Sequence, residues 1–214
     1  MPSNSESQLS AQLLQQAQAG DAASLEMLLS NYIGYLKVLS QSQFDQRLNR
    51  RLNASDLVQE TLLEAHRDFA SFSGKTAAEF TGWLRKILIH NAARELETHL
   101  VAAKRNIQRE QVMHHLGASL EQSHLRLSGM LTDGGRSPSS EVELQEALVA
   151  MANAIEELPQ EYREVIVLRH LEGLAFKDVA ERMHRTPGAA RMLWLRAIER
   201  LREAMDSRSD GALS

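Results

Sequence analysis

The chain has no cysteine, only four prolines and eleven glycines in 214 residues, and 5% aromatic residues. Without thiols there is no disulfide and no thiolate metal site. With so few turn-forming residues, helices are favoured over a β-sandwich or barrel, because either of those needs frequent tight turns. No apolar run approaches the length of a membrane span, so no membrane partner is expected. The opening MPSNSESQLS lacks the basic and apolar segments of a secretion signal, so a cytoplasmic location is expected. What remains is a chain of 43% hydrophobic and 24% charged residues with net charge −4, enough apolar content for packed cores. Where it is periodic the period is helical, and no strand-like alternation of any length appears. The expected fold is all-α, as two small helical domains.

The most informative stretch is Gly173 to Glu203, GLAFKDVAERMHRTPGAARMLWLRAIERLRE. Phe176, Val179, Ala180 and Met183 fall on one face of a short helix. Ala190, Leu193, Trp194, Ala197 and Leu201 repeat the pattern on a longer one. Thr186 is placed to cap the second helix and Pro187 suits its first position, where a missing N–H costs nothing. Two helices joined so closely bury their stripes only by crossing steeply, which is helix-turn-helix geometry. From His184 to Arg202 five arginines (Arg185, Arg191, Arg196, Arg200, Arg202) face one acid, Glu199. In an acidic chain this local excess is the electrostatic footprint of a nucleic-acid reader.

Taken in order, residues 1–8 are polar and expected to be disordered. Leu9 to Ala19 reads as a helix ended by Gly20, and Asp21 can cap the next, whose face is Leu25, Leu28, Leu29, Tyr32, Ile33, Leu36 and Leu39. A polar stretch with Arg47, Arg50 and Arg51 follows. Asn53 can cap a third helix running to about Ala70, with Leu57, Val58, Thr61, Leu62, Ala65 and Phe69 facing a core. Asp56, Gln59 and Glu60 form a compact acidic and amide patch on its other side, which periodicity alone would assign to ordinary solvation. After a loop at 71–76, a fourth helix carries Phe80, Trp83, Leu84, Ile87 and Leu88 on its apolar side. Its polar, mostly basic side holds Arg85, Lys86, His90, Asn91 and Arg94.

Apolar residues then thin out and lose period. Residues 101–140 read as a linker, with some helix near Gln108 to Leu116 and a Gly/Ser/Pro cluster at the end. A second helical domain is expected over 141–206, broken at Leu158-Pro159, with a disordered tail at 207–214. The first domain is expected over 9–100.

These features together resemble a bacterial RNA polymerase sigma factor of the extracytoplasmic-function (ECF) type. The first half is carried by DLVQETLLEA at 56–65 and FTGWLRKILIHNAARELE at 80–97. The second half is carried by LPQEYREVIVLRHLEGLAF at 158–176, followed by DVAERM and the basic helix. The resemblance implies two helical domains, region two and region four, with core RNA polymerase and promoter DNA as partners and an anti-sigma factor as a further candidate. It places polymerase binding at Asp56, Gln59 and Glu60. It places minus-ten contacts on the loop Ser71, Phe72, Ser73, Gly74 and Lys75, which receives a flipped base, and on Lys86, His90, Asn91 and Arg94. It places the minus-thirty-five element against Arg185, Thr186, Gly188, Arg191, Met192, Arg196 and Arg200. Arg191 and Arg196 then read bases, while Arg185 and Arg200 suit phosphates. Three departures stand out. Met192 and Leu193 occupy recognition-helix positions that the family often fills with polar residues. His184 occupies a turn position where the family usually has glycine, and the linker, about forty residues, is long for the type.

Two other readings compete. A helix-turn-helix regulator with an N-terminal sensing or partner-binding domain would share the second half, but it need not carry DLVQE or a basic WLRKILIHN helix. An enzyme is disfavoured. Glu121 and His124 make a single Glu-x-x-His, where a di-iron bundle needs two with further carboxylates. There is no nucleophile motif and no phosphate-cradling glycine loop, so no catalytic residue, metal or cofactor is expected.

Overall fold

The structure, a computed structural model, describes residues 4–43, 53–99, 105–133 and 140–211. All regular structure among them is helical. The first half holds α1 (Asn4–Gln18), α2 (Ala22–Asn31), α3 (Ile33–Gln43), α4 (Ala54–Asp68) and α5 (Ala77–His99). A short 3-10 turn, Phe69–Ser71, follows α4. Helix α6 spans Arg105–Asp133. The second half holds α7 (Glu141–Glu157), α8 (Gln160–Ile166), a π-helical turn (Val167–Leu171), α9 (Phe176–Arg182) and α10 (Pro187–Gly211).

The expected helix starts are present. Asp21 accepts from Ala23 N at 3.3 Å and from Ser24 Oγ at 2.5 Å, while Gly20 before it takes φ +98°, a conformation that costs glycine nothing. Hydrogen bonding to Ser24 holds the Asp21 carboxyl below the usual carboxylate range. Asn53 accepts from Ser55 N at 3.0 Å. The apolar run from Leu25 to Leu39 is interrupted at Tyr32, whose N–H turns back to Leu29, so two helices replace one.

Helix α1 begins at Asn4, inside the segment expected to be disordered, and α10 runs to Gly211, inside the expected tail. The larger difference is α6. Much of the stretch expected to be linker is one helix, and Leu116, Leu120, Leu127 and Leu131 on it are buried. These leucines do share a face. Its remaining core positions are Ser123 and His124, two polar residues that interrupt the apolar pattern while packing inside. Residues 101–104 and 134–139, and the arginines at 47, 50 and 51, lie outside the described residues.

Helix α6 bridges the two halves. It packs on α3, α5 and α7 and on the π-helical turn. Tyr35 Oη sits 3.1 Å from His124 Nδ1, and Ser42 donates to Ser123 at 3.1 Å. Arg85 pairs with Glu121 at 3.2 Å, and Arg126 donates to the Leu171 carbonyl at 2.8 Å. Helix α3 also lies directly along α7. Asn153 donates to the Asn31 carbonyl at 2.9 Å, and Lys37 pairs with Glu156 at 3.5 Å. The close approach needs Gly34. A Cβ there would overlap Asn153 Oδ1 and come within 2.9 Å of its Cα. One continuous core runs from Leu13 to Leu201.

Candidate nucleic-acid interface

Helices α9 and α10 form the helix-turn-helix. Val179, Ala180, Ala190, Leu193, Ala197 and Leu201 are buried between them and the neighbouring helices, as their spacing predicts. The turn is a Schellman motif. Arg185 N–H reaches the Ala180 carbonyl at 2.8 Å and His184 N–H the Glu181 carbonyl at 3.2 Å. His184 takes the left-handed position with φ +53°, the conformation for which glycine is the usual choice. Thr186 then caps α10, its Oγ1 accepting from Ala189 N at 3.2 Å, and Pro187 is the first helical residue.

This geometry leaves the N-terminal half of α10 open. Thr186, Gly188, Arg191, Arg196 and Arg200 are exposed, and Met192 is 50% exposed. The arginines differ in what they touch. Arg185 pairs with Glu161 at 2.6 Å, and Arg200 with Glu203 at 2.9 Å. The Arg191 guanidinium lies over the Phe176 ring, 5.2 Å from its centroid. Trp194 is half-buried on the inner side, stacked on His170 at 5.7 Å, and its Nε1 donates to His170 Nε2 at 2.8 Å.

In the first half, Asp56, Gln59 and Glu60 all lie exposed on one face of α4. The loop that follows rests on an aromatic cluster. Phe72 turns inward, with its ring 6.0 Å from Phe69, 5.4 Å from Phe80 and 5.1 Å from Trp83. The Gly74 carbonyl accepts from Gln18 at 2.7 Å. Ser71, Ser73 and Lys75 are exposed. The loop is closed by a capping box. Glu79 accepts from the backbone N–H groups of Lys75 at 2.7 Å and Thr76 at 3.0 Å, and Thr76 Oγ1 accepts from Glu79 N at 3.2 Å. These bonds, the one from Lys75 foremost, hold the Glu79 carboxyl below its usual range.

On α5, Lys86, His90 and Arg94 are exposed, and Arg94 pairs with Glu64 at 2.9 Å. Asn91 does not join them. It is only 3% exposed, its side chain donates to Thr61 Oγ1 at 3.4 Å, and its Oδ1 accepts from Arg94. The expected DNA contact at Asn91 is therefore corrected. Its position on α5 faces α4, where a buried amide must find partners within the protein, and Thr61 and Arg94 supply them.

Residues 148–201 match the family described as Sigma-70, region 4, and residues 41–99 match Sigma-70 region 2. Together the matches span just over half of the chain, in the order of the two halves just described. The chain belongs to the sigma-70 family, as a factor of the extracytoplasmic-function type. It is 29% identical to the ECF RNA polymerase sigma-E factor of Haemophilus influenzae over 188 residues, 87% of this chain and 90% of that one. It is 28% identical to the RNA polymerase sigma-H factor of Pseudomonas aeruginosa over 194 residues, 91% and 92% of the two chains. It is 27% identical to the ECF RNA polymerase sigma-E factor of Escherichia coli K12 over 199 residues, 92% of each.

Sequence reasoning missed several exposed apolar residues of this sigma factor. Leu63 is 69% exposed on α4, one turn beyond Gln59 and Glu60. Its signal was present, because a leucine at 63 falls off the buried stripe of Leu57, Val58, Thr61 and Ala65. Leu195, 46% exposed, extends the outward surface of α10 beside Met192 and Arg196. Among the described residues, no helix is long and apolar enough to cross a membrane.

Proposed function

We propose that this sigma factor binds core RNA polymerase through α4 and directs it to promoters by holding DNA at two places. The observation that carries the proposal is the pairing in one chain of a region-two match and a region-four match, each with an exposed face of suitable chemistry. Asp56, Gln59 and Glu60 offer carboxylates and an amide to the polymerase, and Leu63 adds an apolar centre to the same surface.

The minus-ten element would meet Lys86, His90 and Arg94 on α5 and the loop at 71–75. Extruding a base costs a few kcal/mol of unstacking, which a π surface offsets in part. The ring cluster of Phe72 and Trp83 beneath the loop provides one. Asn91 serves this surface from inside, by holding Arg94. The minus-thirty-five element would lie along α10. Arg191 and Arg196 reach base edges in the major groove, Met192 meets a thymine methyl, and Arg185 and Arg200 hold phosphates beside the Thr186 and Gly188 N-terminus. The protein acts in the cytoplasm, where polymerase and chromosome are, and it carries out no catalysis of its own.

Run-off transcription with core polymerase and a genomic promoter library tests the proposal. Specific transcripts that depend on this protein are expected. Promoter binding without any gain in transcripts would overturn it in favour of a regulator that does not load polymerase.

A further inference from the structure

The Arg191 guanidinium shares the Phe176 ring with a second cation. Arg169 Cζ lies 4.8 Å from the ring centroid and Arg191 Cζ 5.2 Å from it. Arg169 is tethered, donating to the Leu174 carbonyl at 2.8 Å. Phe176 is itself braced by Trp194, edge to face at 5.6 Å, and Trp194 is locked to His170 by a hydrogen bond. The ring is therefore fixed by the π-helical turn and by the inner side of α10. Arg191 is the solvent-exposed member of the set.

We infer that Phe176 is a positioning residue for promoter reading, which orders the Arg191 side chain before DNA arrives. The inference rests on the proposed role of Arg191 as a base reader. A long arginine side chain loses substantial rotamer freedom when it docks on a base pair, and the loss falls if the side chain is already held. An aromatic ring is a suitable holder. It attracts the guanidinium through its charge and flat face, whereas a bidentate guanine contact uses the N–H groups at the edge. An acidic partner would occupy those N–H groups, as Glu161 does with Arg185 and Glu203 with Arg200. Of these arginines, Arg191 is the one seated over a ring. The neighbouring Arg169 also repels it, so the ring orders Arg191 without trapping it.

The test is promoter binding by the full chain over a panel of upstream-element variants, with Arg191→Ala, Phe176→Leu and the double variant. A cation–π contact at an exposed site corresponds to about a two- to fivefold change in binding. Phe176→Leu is expected to lose about that factor on the sequence Arg191 prefers and little on the others. The double variant is expected to bind no worse than Arg191→Ala. Fluorinated phenylalanines at 176 keep the shape while draining the ring face of negative charge. They keep the proposal testable should Phe176→Leu fold poorly, and base preference should decline stepwise with fluorination at constant Tm. Additive losses in the double variant, or a preference indifferent to fluorination, would overturn the inference and leave Arg191 as a reader. A uniform loss on every variant from Arg191→Ala would overturn the base-reading role, and the inference with it.

Discussion

Tyr35 Oη and His124 Nδ1 lie 3.1 Å apart across 89 positions of sequence, both side chains buried. Burial, with the Arg85 charge assisting, pushes the His124 pKa down to about 4. Burial likewise raises that of Tyr35. His124 is thus neutral in the fold and titrates normally, near 6.5, once unfolded. Between those values the unfolded chain binds more protons, so stability rises with pH across the window and is lost as pH falls from about 6.5 towards 4. The difference corresponds to about 3 kcal/mol at full extent. Denaturant titrations from pH 4 to 7 should show a steeper acid loss for the native chain than for His124→Gln. Parallel curves would mean that His124 is not held neutral.

The exposed face of α4 predicts a graded loss of polymerase affinity. Gln59→Ala with Glu60→Ala, and separately Leu63→Ala, should each weaken core binding by about tenfold, since apolar centres ringed by polar contacts dominate such interfaces. None of these side chains is buried, so helix content by circular dichroism should not change. Unaltered affinity in a fluorescence titration would remove α4 from the interface.

His184 predicts a stabilising substitution. Its φ of +53° is a conformation that costs a residue with a Cβ about 1 kcal/mol or more. His184→Gly relieves that cost while making the unfolded chain more flexible. The expected net gain is about 0.5 kcal/mol, or a rise of about 1–2 °C in Tm. A lower Tm would show that the imidazole contributes more than its strain costs.

Gly34 predicts the opposite sign. Glycine to alanine in a helix ordinarily gains up to about 1 kcal/mol. Here the added methyl would meet Asn153 Oδ1 and Cα, and α3 must then shift off α7. Gly34→Ala should lower Tm and raise amide exchange around Asn31 and Asn153. A gain in stability would mean that the α3–α7 contact yields easily.

The helix-turn-helix and its caps were legible in the sequence because they are local. Thr186, Pro187 and the stripe from Ala190 to Leu201 act within a turn or two of themselves. Helix α6 was not legible, since its core positions include Ser123 and His124, whose partners Ser42 and Tyr35 are distant in sequence. Asn91 misled for the same reason. A polar residue among basic neighbours reads as exposed, and only Thr61, thirty positions away, shows that it points inward. The Phe176 ring was read as one more core position, because nothing in a linear pattern marks which guanidinium will settle on it.

The contact of Asn153 with Asn31 spans 122 positions. On the ribosome, at about 5–20 residues per second, the junction of α2 and α3 waits roughly 6–24 s for the helix that will cover it. During that interval the flank of α3 that later meets α7 is solvent-exposed on a chain still under construction. Any factor that greets the nascent polypeptide meets that uncovered flank before the molecule has closed over it. The order of synthesis thus gives the first half of this protein a period of independent life before its second half exists.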